Sequence, residues 1–201
     1  MKTLKIIFLS ILVAMLAACA TMPASQSAYN QKMSWQARSN QLKKIKQWTI
    51  QGAVAIQRSN QAESAYLTWQ QHNNNYTLHL FGPLGMGAVN ITGQPGQFTL
   101  KNAQGQILQA KSPESLIQQE MGWTLPVSNL YYWVRGLPVP NLKATKQFDE
   151  YHHLIKLNQE GWQINYLQYT GIKGIDLPSK LTLKNPKLSL RLVINQWRRD
   201  S

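Results

Sequence analysis

The chain has one cysteine in 201 residues, and only 8 acidic residues against 21 lysines and arginines. A single thiol excludes a disulfide framework. The acids are Glu63, Glu114, Glu120, Asp149, Glu150, Glu160, Asp176 and Asp200, and only Asp149 and Glu150 adjoin. On a strand, adjacent side chains leave on opposite faces, so this pair cannot serve one substrate as acid and base. His152 and His153 have no second ligand cluster at useful spacing and the chain has no HExxH, so no metal site is expected and both histidines read as solvated surface residues. The glycines of GPLGMG and GIKG do not open a helix after a strand, which excludes a phosphate loop and a dinucleotide fingerprint. With Cys19 assigned to an anchor below, no thiol nucleophile remains. No catalytic residues emerge, and the chain does not read as an enzyme.

The apolar run from Ile6 to Ala18 is too short to span a membrane. It follows Lys2 and Lys5 and ends in Leu16-Ala17-Ala18-Cys19, which resembles the bacterial lipobox. Residues 1–18 are then a removed signal peptide, and Cys19 is the new N-terminus carrying S-diacylglycerol and N-palmitoyl chains. Residues 19–30 are small and polar, as suits a tether, and residues 31–201 are enough for one domain with a sizeable core. The formal charge of the full chain is +13, and loss of Lys2 and Lys5 with the signal peptide leaves +11. Outside the cytoplasm such a chain meets no chromosomal DNA, so its basic surface faces anionic head groups or an acidic protein rather than nucleic acid.

Periodicity supplies the architecture. Gln31 to Lys46 is helical, with Trp35, Leu42 and Ile45 on one face. Thereafter the period is two: WTIQGAVAIQ, SAYLTWQQ, NYTLHLF, AVNIT, QFTLKN and QILQA read as strands at short spacing. Two further helices follow, one capped by Ser112 with Pro113 at its first position and ending near Gly122, the other capped by Ser128 and ending at Gly136. Strands resume with Phe148 to Leu157, GWQINYLQY, KLTLKN and KLSLRLVINQW. The expected fold is mainly β with a few helices: an incomplete antiparallel barrel of ten or eleven strands covered by about three helices.

Seven tryptophans and eight tyrosines fall mostly on the apolar phase of strands or on short helices. A curved sheet covered by few helices can enclose a dry apolar cavity, and the lining expected from the apolar phase of the sheet and of a covering helix is Trp48, Trp69, Leu78, Leu80, Trp133 and Trp162. One turn is out of character. Pro83 and Gly85 set a tight turn between two strands, and it presents the apolar Leu84, with Met86 close by, where solvent is expected. Arg135, Lys143 and Lys146 are candidate basic contacts for an acidic partner.

These segments together resemble the LolB family of outer-membrane lipoprotein receptors. The resemblance runs through WTIQGAVAI, LTWQQHNNNYTLHLFGPLGMGAVNITGQPG, SPESLIQQEMGWTLPVSNLYYWVRGLPVP, GWQINYLQY and DLPSKLTLKNPKLSLRLVINQW. Its best markers are LPVSNLYYWVRGLP and the PLG turn. It implies a monomeric half-barrel whose cavity takes the acyl chains of client lipoproteins from the soluble periplasmic carrier LolA. The client then passes to phospholipid of the inner leaflet of the outer membrane. It also implies that Leu84, between Pro83 and Gly85, enters the membrane, and that no nucleotide or other cofactor takes part. Ala20 after Cys19 agrees with export to the outer membrane. The alternative is a periplasmic sensor lipoprotein on the same scaffold, binding lipid or lipoprotein without inserting it.

Overall fold

A computed structural model describes residues 27–58, 61–85, 87–122 and 124–199. Cys19 and the signal peptide lie outside the described residues, as do Met86 and Trp123. Among the described residues the chain forms three α-helices: α1 (Trp35–Lys44), α2 (Pro113–Met121) and α3 (Val127–Trp133). It also forms strands β1 (Gln47–Arg58), β2 (Gln61–His72), β3 (Asn75–Phe81), β4 (Val89–Gln94), β5 (Gln97–Lys101) and β6 (Ile107–Ala110). The remaining strands are β7 (Ala144–Phe148), β8 (Leu154–Gln159), β9 (Trp162–Ile172), β10 (Ile175–Lys184) and β11 (Ser189–Arg199).

The strands make one antiparallel sheet ordered β6-β5-β4-β3-β2-β1-β11-β10-β9-β8-β7. Every neighbour is also a neighbour in sequence except at the centre, where the first strand meets the last. Alternation sets the faces: in β1, Trp48, Ile50, Gly52 and Val54 are buried while Thr49, Gln51 and Ala53 between them are half-buried. A register shift falls at Gln51/Gly52 opposite β11, and a Cβ at Gly52 would lie 2.0 Å from the Val193 carbonyl oxygen. Only glycine lets the two backbones close at this bulge, which bends the sheet where it must curl.

Antiparallel alternation gives the half-barrel two distinct ends. At one end lie the β1–β2 and β10–β11 turns, the β8–β9 turn and the loop joining β3 to β4. At the other lie the β2–β3, β7–β8 and β9–β10 turns together with α1, whose last residues lead directly into β1. Helix α1 is shorter than the Gln31–Lys46 periodicity suggests because Ser34 caps it, accepting from the Ala37 amide at 3.2 Å. Ser112 and Gly122 bound α2 as expected, the latter at φ +73°. Helix α3 departs from expectation: it starts at Val127 after Pro126, and Ser128 caps nothing. The Ser128 amide instead donates to Glu114 Oε1 at 2.9 Å, so a carboxylate on α2 serves the start of α3. The segment Phe148 to Leu157 is likewise not one strand, since Asp149–His153 turns the chain between β7 and β8.

Candidate functional site

Helices α2 and α3 sit over the concave face and leave a cavity of about 360 Å³ on the β1–β4 side. Its walls are Ile50, Val54, Leu67, Trp69, Leu78, Leu80 and Val89 from the sheet, with Ile117, Leu125, Leu130 and Val134 on the helical side. The polar groups among its lining residues, Glu63 and Ser64, stand towards the β1–β2 turn, where Phe81, Gly82 and Gly87 complete the rim. Glu63 Oε1 accepts from Arg58 Nη2 at 3.2 Å across this exposed edge. Among the described residues the cavity is therefore apolar in depth and polar at its mouth, a form that takes hydrocarbon.

Three of the six expected lining residues, Trp69, Leu78 and Leu80, lie on this wall. Trp48, Trp133 and Trp162 do not. Trp48 is fully buried between Trp69 and Trp197, at ring-centroid distances of 5.1 and 5.5 Å. Trp133 donates to Gln159 Oε1 at 3.0 Å and packs 6.2 Å from Trp162, while the Tyr166 hydroxyl donates to the Trp133 carbonyl at 3.0 Å. Strand phase identifies the inward face, but α3 and its partners fill the β8–β10 half of that face. The helix-side walls at Ile117, Leu130 and Val134 were missing from the sequence reading because apolar helix positions look alike whether they meet core or void.

The turn beside the mouth has its expected form. Pro83–Gly85 make a short 3₁₀ turn, with the Gly85 amide donating to the Gly82 carbonyl at 3.1 Å. Gly85 and Gly87 adopt φ +76° and +62°, and a Cβ at either would meet nothing within 4 Å, so the backbone here stands clear of the body. The Leu84 side chain lies outside what is described.

Two charged residues are placed differently from expectation. Arg135 is 2% exposed, with its guanidinium 3.9 Å from the Tyr131 ring centroid and Nη1 donating to the Ile45 carbonyl at 2.7 Å. Burial lowers its pKa while Tyr131 and Tyr132 oppose the shift. It binds α3 to the end of α1 and is withdrawn from any partner, whereas Lys143 and Lys146 are exposed. His153 is not on the surface but 1% exposed. Its Nδ1 lies 2.8 Å from Asp149 Oδ2 and its Nε2 lies 2.9 Å from Asp176 Oδ2, and its ring stacks 4.5 Å from Tyr169. His152, at φ +59°, makes the turn that brings Asp149 and His153 together. Arg38 completes the cluster with Nη1 3.9 Å from Asp176; burial lowers its pKa, and Asp176 opposes this.

Comparison with known proteins agrees with the geometry. The family model described as outer membrane lipoprotein LolB matches residues 46–197. The outer-membrane lipoprotein LolB of Coxiella burnetii is 43% identical over 173 residues, covering 86% of this chain and 81% of that protein. That of Pseudomonas putida is 39% identical over 188 residues, covering 92% of each. The crystal structure of a LolA superfamily protein from Nitrosomonas europaea superposes with a TM-score of 0.54 at 7% identity, over 84% of this chain and 94% of that one. At that identity the likeness is one of fold.

Proposed function

From the premise that this chain belongs to the LolB family of outer-membrane lipoproteins, we propose how its half-barrel works. The family places it at the outer membrane as a receptor in lipoprotein localization. Its reading in molecular terms is that acyl chains of a client lipoprotein pass from the soluble carrier LolA into the cavity walled by Trp69, Leu78 and Leu80, then into the inner leaflet of the outer membrane. The observation that carries this reading is an apolar cavity whose only polar rim lies beside the protruding Pro83–Gly85 turn.

Each methylene buried in such a cavity contributes about 0.8 kcal/mol, so affinity for the client grows with chain length and needs no covalent step. Transfer runs downhill from carrier to receptor to bilayer without nucleotide. Residues 1–18 are removed and Cys19 carries the lipid anchor; two or three acyl chains hold a protein stably on a bilayer where one does not. Leu84 is then not the anchor. Burying one leucine contributes roughly 1.5 to 3 kcal/mol, which is enough to turn the mouth towards the leaflet so that a chain crosses without meeting water.

The test uses a soluble form with Cys19 replaced and carrier loaded with a labelled triacylated lipoprotein. Hand-over from the carrier and release into liposomes are followed separately for the native loop and Leu84→Glu. The expected result is hand-over retained and release lost in Leu84→Glu. Acceptance without release by the native loop would replace this reading with that of a sensor, and failure to accept the client would remove the cavity from the mechanism.

A further inference from the structure

At the end of the half-barrel opposite the mouth, Asp176 is 2% exposed and its oxygens are spent on the chain's own N-terminal segment. Oδ1 accepts from the Tyr29 amide at 2.7 Å, and Oδ2 accepts from the Asn30 amide at 3.1 Å as well as facing His153 Nε2 at 2.9 Å. Arg38 Nη2 donates to the Gln31 carbonyl at 2.9 Å and to the Tyr151 carbonyl at 3.0 Å. The Ser27 carbonyl accepts from the Gly171 amide at 3.3 Å. The Tyr29 ring covers Gly171 so closely that a Cβ there would lie 2.7 Å from it. Residues 27–31 thus form a strap: its side chains are exposed apart from the half-buried Ala28, and it is fastened by buried charges. The tether expected over residues 19–30 is accordingly shorter, because Ser27–Asn30 are held by these groups.

We propose that Asp176 and His153 are positioning residues for lipoprotein release: they fix where the membrane anchor leaves the body, and the strap unseats before the mouth meets the anchoring bilayer. This rests on the reading that Cys19 carries the anchor and that the Pro83–Gly85 turn meets the membrane. Strand β9 runs its 11 residues from the mouth end to the strap end. That is about 36 Å of strand, or about 27 Å along the axis of a barrel with strands tilted near 40°. Eight residue-to-residue steps separate Cys19 from Ser27; they reach at most about 28 Å, and a free chain of that length spans about 16 Å on average. With the strap seated, anchor and turn share one membrane surface only if the tether is drawn almost straight. Unseating as far as Ser34, the cap of α1, leaves 15 such steps and a reach of about 50 Å. The seated strap therefore directs the mouth away from its own bilayer, towards a soluble carrier, and the unseated strap lets it turn over.

The test locks the strap in the full-length, vesicle-anchored protein. Thiols at positions 29 and 171 stand within reach of a disulfide, so Tyr29→Cys with Gly171→Cys is oxidised, and client incorporation into the anchoring bilayer is compared with and without reductant. The expected result is hand-over unchanged and incorporation slowed about tenfold or more, since a tether that spans its sites only when drawn nearly straight gives little effective concentration. Reductant should restore the rate, and so should about twelve Gly and Ser residues inserted after Ala20, even under oxidising conditions. Incorporation at the native rate when locked, or slowing that persists with the long tether, would overturn the proposal. A second variant, Asp176→Asn, should expose the amides of residues 27–31 to hydrogen exchange and, by freeing the strap, quicken incorporation with hand-over unchanged; amides that stay protected, or incorporation no faster once they are exposed, would also overturn it. Failure of the reduced, native-tether protein to incorporate client at all overturns the functional reading on which the proposal stands, a result separable from the others because it does not depend on the disulfide.

Discussion

The Tyr166 phenol sits in the packed half of the barrel, donating to the Trp133 carbonyl, and burial alone raises its pKa above the usual 10.0. Burial does the same to Tyr76 and Tyr169. In each case the unfolded chain loses its proton first as pH rises. The stability held below pH 10 is therefore lost above it, at up to about 1.4 kcal/mol per pH unit for each phenol. Urea unfolding across this alkaline range should show that decline, and Tyr166→Phe should make it shallower while costing about 1 kcal/mol near neutral pH for the lost hydrogen bond. An unchanged slope would mean the phenol ionises in the folded state without penalty. The buried role of such residues was only partly legible. His153 could not be read as buried because one carboxylate partner is 23 residues away and the other comes within reach only through the positive φ of His152. Trp48 and Trp133 were correctly assigned to the inside, but alternation carries no information on whether an inward ring meets other rings or empty space.

Among the elements, the strands with one wet face were the ones that could be read. β1 alternates along most of its length and β2, β9 and β11 over part of theirs, and their registers follow. β7 hid because it is an edge strand with three exposed central residues, Thr145, Lys146 and Gln147, and so lacks an apolar phase. Helix α3 was misjudged at its start because the group serving its first amides belongs to α2, a partner that local capping rules do not see. The β1–β11 pairing makes its own prediction. Gly52→Ala puts a methyl where the Val193 carbonyl already lies, which should destabilise the body by about 1 to 3 kcal/mol as the bulge is forced open. A lowered urea midpoint with an unchanged slope would register this as loss of stability rather than of compactness. An unaltered midpoint would mean the bulge relaxes freely.

For the whole molecule, the sheet, its curl and the presence of a cavity were legible, because these follow from the count and phase of the strands; which half stays open is decided by α2 and α3 and was not legible. Charge also acts at this scale. With a formal charge of +11 after loss of the two signal-peptide lysines and exposed lysines such as Lys143 and Lys146, the body should steer the approach of the proposed carrier through any acidic surface it presents. Raising salt from about 0.1 to 1 M shortens the screening length from about 10 to 3 Å and should slow hand-over by lowering the association rate; an unchanged rate would remove steering. The strand order bears on how the body is made. All pairings but one join strands adjacent in sequence, whereas β1 and β11 join Trp48 to Arg199. Contacts so distant in sequence form slowly, since their loop must close before they are rewarded. The two hairpin-built halves can fluctuate, but the seam between them cannot form until the last strand has been delivered. A chain with that order stays open for the whole of its passage through a membrane and closes only on arrival.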